Sequence, residues 1–433
     1  MKKITLNKIK KNNREIIYDF SVSDELKKYF SGTSFIIEYS ENIECVPDSV
    51  ASVPFVCNML PIIWLSNAAL EIPELDRDFF EAIPKLKNGY IQMFPESNFA
   101  GEIITTPVKN CCNSKTKKSA SLFSGGLDAV NTLVDHIDET PHLIAIWGAD
   151  IEYNNTDGWE IVYNGLNSSA KTFGLPLTVI RSTFRDIDYH EKILNNDFST
   201  QLKDGWWHGL KHAIALLGHT APYVYLKGIT TLYIASSYSP EDEPVRCASN
   251  PITDNLMRFN GCKVIHDGYE LNRQNKITNV VQYHNKTKTN FSLHVCWETQ
   301  TGNNCCHCEK CYRTMAGVIA EGEDPVDYGF LEAHTKLPYM HEYIIENHSS
   351  SDEFKKFWSH IQKRLIDNQK TVINTPYWQY IKWLEPINFN KTKKMKMPLM
   401  FRIRRYLSSF KFYNKLHQIK KMIVKKINMK SDH

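Results

Sequence analysis

Cys296, Cys305, Cys308 and Cys311 follow a C-x8-C-x2-C-x2-C spacing inside "CWETQTGNNCCHCEKCYRT", residues 296 to 314. Thiolates two residues apart can grip one ion through a tight turn, and four soft ligands complete the tetrahedron that Zn2+ favours. Five of the chain's 11 cysteines fall in this stretch, which chance clustering explains poorly. Four thiolates leave no open coordination position, so the metal expected here is structural, not catalytic. Cys306 and His307 lie inside the knuckle, and a Cys/His exchange in the ligand set stays open beside the evenly spaced four.

A second stretch with chemical meaning is "SASLFSGGLDAVNTL", residues 119 to 133. A short apolar run stops at Ser124-Gly125-Gly126, and a helical pattern begins after Asp128. Backbone N–H groups of such a turn, together with the free N–H groups and positive dipole end of the next helix, favour an anion. Glycines let the backbone approach a phosphate with no Cβ in the way. A carboxylate repels phosphate, so Asp128 makes sense if it orients the loop or holds Mg2+ against the phosphates. The plainer reading is a strand–turn–helix with Asp in the first helical turn, and for these five residues alone it carries equal weight. Neither G-x-G-x-x-G nor a GKS/GKT loop is present.

The elements around these two motifs alternate. Strands are expected at 119–123, 142–147, 175–181, 231–236 and 263–266. Helices are expected at 129–137, at 159–173 with a stop at Gly174, and at 206–217 with a stop at Gly218. Strands separated by helices imply a parallel sheet covered on both faces. In such sheets ligands bind outside the carboxyl ends of the strands, which is where the Ser-Gly-Gly turn falls. The helix in "DGWWHGLKHAIALLGH" carries His208, Lys211 and His212 near one face and is expected to line the pocket, although adjacent tryptophans are more often core.

Ser124-Gly125-Gly126-Leu127-Asp128 after a strand resembles the SGGxDS signature of the ATP pyrophosphatase (PP-loop) superfamily. The departure is Ala129, which replaces a second serine and removes one hydroxyl donor. The downstream C-x8-C-x2-C-x2-C with Arg313 close behind resembles the 7-cyano-7-deazaguanine synthase family within it. The resemblance spans about 119 to 320, less than half of the chain. It implies an adenine-nucleotide alpha-hydrolase-like (Rossmann-like) α/β core and ATP, Mg2+ and Zn2+ as ligands. It also implies cleavage of ATP between the α and β phosphates with adenylation of a substrate oxygen. Phe123, Ser124, Gly125, Gly126, Leu127 and Asp128 would hold the phosphates, and Trp147-Gly148 would meet the adenine. The family's Pro-Asp pair with a nearby Arg is loosely matched by Pro251, Asp254 and Arg258, and its lysine by Arg273 or Lys276. Asp128, Asp254, Arg273 and Lys276 are thus the expected catalytic residues. The expected reaction is C–N ligation, in which a nitrogen nucleophile attacks an adenylated carboxylate or amide-like oxygen. The alternatives are an amidotransferase or thiolating member acting on a sugar or RNA, and a silent scaffold, which Ala129 keeps open.

At 433 residues the chain exceeds one average domain. Four regions are expected: an α+β region at 1–112, the ATP-binding core with its zinc knuckle at 119–325, a helical region at 330–390, and a tail at 391–433. The net charge of +4 conceals a tail of +13 on a body of −9. In the tail, apolar residues such as Phe401, Phe410, Ile419 and Ile423 alternate with basic ones. This pattern predicts amphipathic helices on an anionic membrane surface, with nucleic acid the less favoured partner. Phe55 to Leu65, the longest apolar stretch, is too short to span a bilayer, and the basic N-terminus lacks a signal-peptide core, so the chain is expected in the cytoplasm. Clustered thiols fit that reducing compartment, where a disulfide scaffold does not.

Overall fold

A computed structural model describes residues 2–110, 117–187, 191–202, 205–242, 245–347 and 352–389. The basic tail at 391–433 and the cysteines at 111 and 112 lie outside the described residues. The chain is a mixed α/β protein built on one large, mostly parallel sheet. Its strands are β1 (Lys3–Asn12), β2 (Glu15–Val22), β3 (Ser34–Tyr39), β4 (Ala69–Asp76), β5 (Glu102–Val108), β6 (Ser119–Leu122), β7 (His142–Trp147), β8 (Leu177–Ser182), β9 (Thr231–Ala235), β10 (Arg258–Phe259) and β11 (Cys262–Asp267). They lie in the order β10-β11-β9-β6-β7-β8-β3-β2-β1-β4-β5.

The strands β11, β9, β6, β7 and β8 run parallel, with Ala120 of β6 opposite Leu232 of β9 on one side and His142 of β7 on the other. Helices cover these strands, so their apolar residues are buried in runs: Leu143, Ile144 and Ala145 in β7, and Leu232, Tyr233 and Ile234 in β9. The strands of the first hundred residues alternate instead. Ile16, Tyr18 and Phe20 of β2 point inward and their neighbours point out, the pattern of a sheet with one covered face.

Residues 2–110 carry strands β1 to β5 and two α-helices, and the sheet runs on from them without a break. Strand β3 pairs antiparallel with β8, Ile37 opposite Ser182. The inward face of β2 is covered by the helix Asp48–Ser66, whose Phe55 packs on Tyr18 at 5.6 Å and whose Ala51 carbonyl accepts the Tyr18 hydroxyl at 2.6 Å. This helix contains the apolar stretch Phe55 to Leu65 and is long and apolar enough to cross a membrane, yet it is buried in the protein as a core helix.

Two expected boundaries move. The helix after the Ser-Gly-Gly turn runs Leu127–Asp135, so the turn and Asp128 sit closer to its start than the apolar pattern indicates. Gly218 does not end a helix. Trp206–Lys211 forms a π-helical turn that passes into the α-helix His212–His219. A Cβ on Gly218 would lie 2.5 Å from the Cβ of Cys57, so the glycine is there for the close approach of the helix Asp48–Ser66. Gly174 does cap its helix, with φ +67°.

Candidate nucleotide and metal site

The four cysteines converge. The Sγ atoms of Cys296, Cys305, Cys308 and Cys311 all lie within 4.8 Å of one another. The backbone N–H of Cys308 donates to Cys305 Sγ at 3.3 Å, and that of Cys311 to Cys308 Sγ at 3.4 Å. Amide donors on sulfur are what stabilise thiolates around a cation. Cys308 also caps the helix Glu309–Ala320, which fixes the second pair of ligands to a rigid element. Cys306 Sγ turns to the Asn304 carbonyl at 3.5 Å, and His307 Nδ1 faces the Cys305 carbonyl at 2.6 Å, so neither joins the cluster. The donor set, its number and its spacing fit Zn2+, and these four residues can hold it.

The Ser-Gly-Gly turn stands at the carboxyl end of β6, in the middle of the parallel strands. Phe123 N–H donates to the Ile144 carbonyl at 2.8 Å, the last tie to β7 before the turn. Gly125 has φ +72°, a conformation that favours glycine. Its carbonyl accepts the His294 N–H at 2.8 Å and so joins the turn to the segment that leads into the metal cluster. The helix Leu127–Asp135 begins on Gly126 with no side-chain cap, which leaves its first-turn N–H groups without a side-chain acceptor.

A cavity of about 350 Å³ opens on this turn. It is lined by Ser124, Gly126, Leu127, Asp128 and Ala129, by residues at the ends of β7 and β9, and by Cys296, Trp297 and Lys310 of the metal knuckle. Trp207, His212, Ser237 and Ser249 line it as well.

The charge distribution is the cavity's main electrostatic feature. Asp128 Oδ2 accepts from Arg273 Nη1 at 3.0 Å, and Lys276 Nζ stands 3.6 Å from Oδ1. Burial acts to raise the Asp128 carboxyl, but the positive charges of Arg273, Lys276, Lys310 and Arg313 outweigh it and hold the group below its usual range. Burial, reinforced by the Arg273 charge, lowers the Lys310 ammonium. Asp128 Oδ1 is buried and accepts no hydrogen bond. The Lys276 ammonium stands near it, at 3.6 Å, and a carboxylate oxygen that accepts no hydrogen bond is the kind of donor that Mg2+ takes, one or two at a time, leaving its other positions to phosphate and water.

Two of the cations expected from sequence, Arg273 and Lys276, therefore meet Asp128 across 145 residues of chain in the first case. Other expected residues stand elsewhere. Asp254 is 2 % exposed and is not among the residues that line the cavity. Its Oδ2 is taken by the Ser249 hydroxyl and by His266 Nδ1, both at 2.8 Å, so it supports the wall through Ser249. Arg258 donates to the carbonyls of Asn255 and Met257 in its own turn. Trp147 stacks on Trp159 at 5.2 Å and under the Arg181 guanidinium at 4.1 Å. Gly148 presses against the Ser182 carbonyl. The lining at this end comes instead from their neighbours Ile146, Ala149, Asp150 and Ile151. Of the three residues expected on one pocket-facing helix, only His212 lines the cavity, while the buried Lys211 donates to the Phe184 carbonyl at 3.0 Å.

Sequence reasoning missed Lys310, His294, Trp297 and Cys247. Lys310 carried a signal, because it sits between two of the cysteines. Cys247 carried none. Its Sγ is 4.0 Å from His212 Nε2, and His208 also reaches it. Burial pushes the thiol up, but the two histidines pull it down to about 6. His212 Nδ1 is held by the Trp207 carbonyl at 3.2 Å.

Comparison with known proteins yields no match: no family model, no curated protein and no solved structure corresponds to this chain.

Proposed function

We propose that the protein is an ATP-dependent enzyme of the PP-loop class, resembling the 7-cyano-7-deazaguanine synthase family, that forms AMP and pyrophosphate. The observation that carries this reading is the convergence on one cavity of an uncapped helix start, a Ser-Gly-Gly turn and a carboxylate clamped by Arg273 and Lys276. Arg273 and Lys310 in the cavity lining, next to a helix start with no side-chain cap, are features that suit a polyphosphate.

The turn would cradle the β and γ phosphates, and Asp128 Oδ1 would hold Mg2+. Bound Mg2+ would neutralise charge on the leaving pyrophosphate. A carboxylate or amide-like oxygen of the acceptor attacks the α phosphorus, and the bond to the β-phosphate oxygen breaks with its electron pair going to pyrophosphate. A nitrogen nucleophile then attacks the activated carbon, and AMP leaves. Arg273 and Lys310 would offset negative charge that builds on the α phosphate. Trp207, His212, Ser237 and Ser249, which also line the cavity, would meet the acceptor.

A silent PP-loop scaffold is the second reading, favoured by Ala129, which lacks the hydroxyl of the signature serine. Calorimetric titration of the zinc-loaded protein with MgATP tests the class. One site per chain supports the proposal, and absence of binding with the fold intact rejects it.

A further inference from the structure

The metal knuckle and the cavity share residues. Cys296 is both one of the four clustered thiols and part of the cavity wall, and Trp297 and Lys310 beside it line the same space. Lys310 stands between Cys308 and Cys311, in the first turn of the helix that Cys308 caps. Its position therefore depends on how the two thiols on either side are held.

The cations in and beside the cavity differ in how their terminal nitrogens are engaged. Arg273 spends one Nη on Asp128 and the other on the Thr314 hydroxyl at 3.2 Å, with its buried Nε left unpartnered. Lys276 spends its ammonium on Asp128 and on the Ser236 carbonyl at 2.5 Å. Lys310 makes no hydrogen bond and no ion pair through its ammonium among the described residues, although it is only partly exposed and lines the same cavity as Ser124 and Gly126. The charges of Asp128 and Asp150 act on this ammonium from a distance, but its three donors are unused and open to an anion.

We propose that Lys310 is the phosphate-binding cation of this cavity, and that metal bound by the four cysteines holds it in place, so that metal binding and polyphosphate binding are coupled. The proposal rests on the reading that the cavity takes phosphates, and goes beyond it by making the knuckle part of the ligand site. Metal at the thiols fixes the 305–311 turn and with it the direction of the Lys310 side chain. Polyphosphate on Lys310 in turn ties down the same turn and slows metal loss. Reciprocity is required, because a coupling free energy acts equally on both ligands.

The test uses the zinc-loaded full chain and inorganic tripolyphosphate, with MgATP as a second probe. Lys310→Gln should weaken tripolyphosphate binding roughly tenfold or more, the size expected for losing a charge-assisted hydrogen bond. Zinc content and melting temperature should stay at wild-type values, and Lys310→Arg should retain most of the affinity. In the wild type, saturating tripolyphosphate should slow zinc transfer to a chelator by about fivefold or more, and Lys310→Gln should abolish that effect. Unchanged affinity in Lys310→Gln, or zinc loss that ignores tripolyphosphate, would overturn the proposal while leaving the nucleotide reading standing. No binding of either probe to the wild type would remove both.

Discussion

Arg273 Nη1 sits 3.0 Å from Asp128 Oδ2, a contact that ties the helix after β11 to the first turn of the helix after β6. Arg273 is 7 % exposed in its side chain and Asp128 17 %, so little water screens the pair. With Lys276 on the other oxygen, one carboxylate organises two buried cations. The arrangement holds Arg273 in the cavity lining, with the buried Lys276 on the same carboxylate, before any ligand binds, which is the preorganisation that electrostatic catalysis requires.

Removing that carboxylate should therefore be felt in the fold as well as in the site. Asp128→Asn leaves Arg273 and Lys276 without their counter-charge, a loss on the order of 3 kcal/mol for a buried pair. Denaturant unfolding should report it, and bound polyphosphate should recover part of it by supplying the missing charge. An Asp128→Asn protein as stable as the wild type would mean that the pair is already solvated.

For the metal cluster, replacement of any one of Cys296, Cys305, Cys308 or Cys311 by Ser should lower zinc content well below one per chain and destabilise the core that packs around Tyr312 and Met315. Cys306→Ser should keep full zinc, because its sulfur faces the Asn304 carbonyl and not the cluster. Elemental analysis of the five variants decides, and zinc loss in Cys306→Ser alone would reassign the ligands.

Acid should act through His219. This histidine is buried between the Ser182 hydroxyl and the Ala215 carbonyl, and burial lowers it from 6.5 to about 4. A depressed histidine is held neutral in the folded state. Its stabilising contribution is complete above pH 6.5 and is lost as pH falls from 6.5 towards 4, when the unfolded chain takes up a proton that the folded chain refuses. The full loss is about 3 kcal/mol. Unfolding free energies at pH 7.5 and 4.5 should fall less in His219→Gln than in the wild type, and equal slopes would exclude His219 as the cause.

Cys247 gives a titration prediction. With its thiol held at about 6 by the His212 charge and hydrogen bonds from both histidines, it should carry a thiolate at neutral pH. Cys247 is 3 % exposed, so the readout is one that needs no reagent: the thiolate absorbance difference between the wild type and Cys247→Ser should show a pH midpoint near 6 that moves upward in His212→Asn. A midpoint that does not move would separate Cys247 from His212.

How much of this was legible in the sequence depends on the range of the forces involved. The metal cluster and the Ser-Gly-Gly turn are local: their chemistry is written in spacings of two to eight residues, and the structure brings those residues together. The strands of the parallel region were legible for the same reason, since each is a short apolar run with its own turn signals. What was not legible depends on contacts between distant segments. Nothing near Gly218 announces that Cys57 will press against it, so the residue reads as a helix stop. Nothing in 1–112 announces that Ile37 of β3 will pair beside Ser182 of β8 and extend the sheet. Asp128, Arg273 and Lys276 could each be singled out, but their pairing with one another could not, and Asp254 turned to Ser249 and His266 instead of the cavity.

The bond of ATP that the protein breaks is the most direct test of the proposed chemistry. Zinc-loaded protein would be incubated with MgATP labelled at the α and γ phosphates and with a small-molecule extract to supply the acceptor. The products would be separated beside those of Asp128→Asn. The predicted result is labelled AMP and labelled pyrophosphate in equal amounts, dependent on the extract and reduced at least a hundredfold in the variant, as for loss of a group that organises the reacting phosphates. Labelled ADP with inorganic phosphate, or the same products at the same rate from Asp128→Asn, would contradict it.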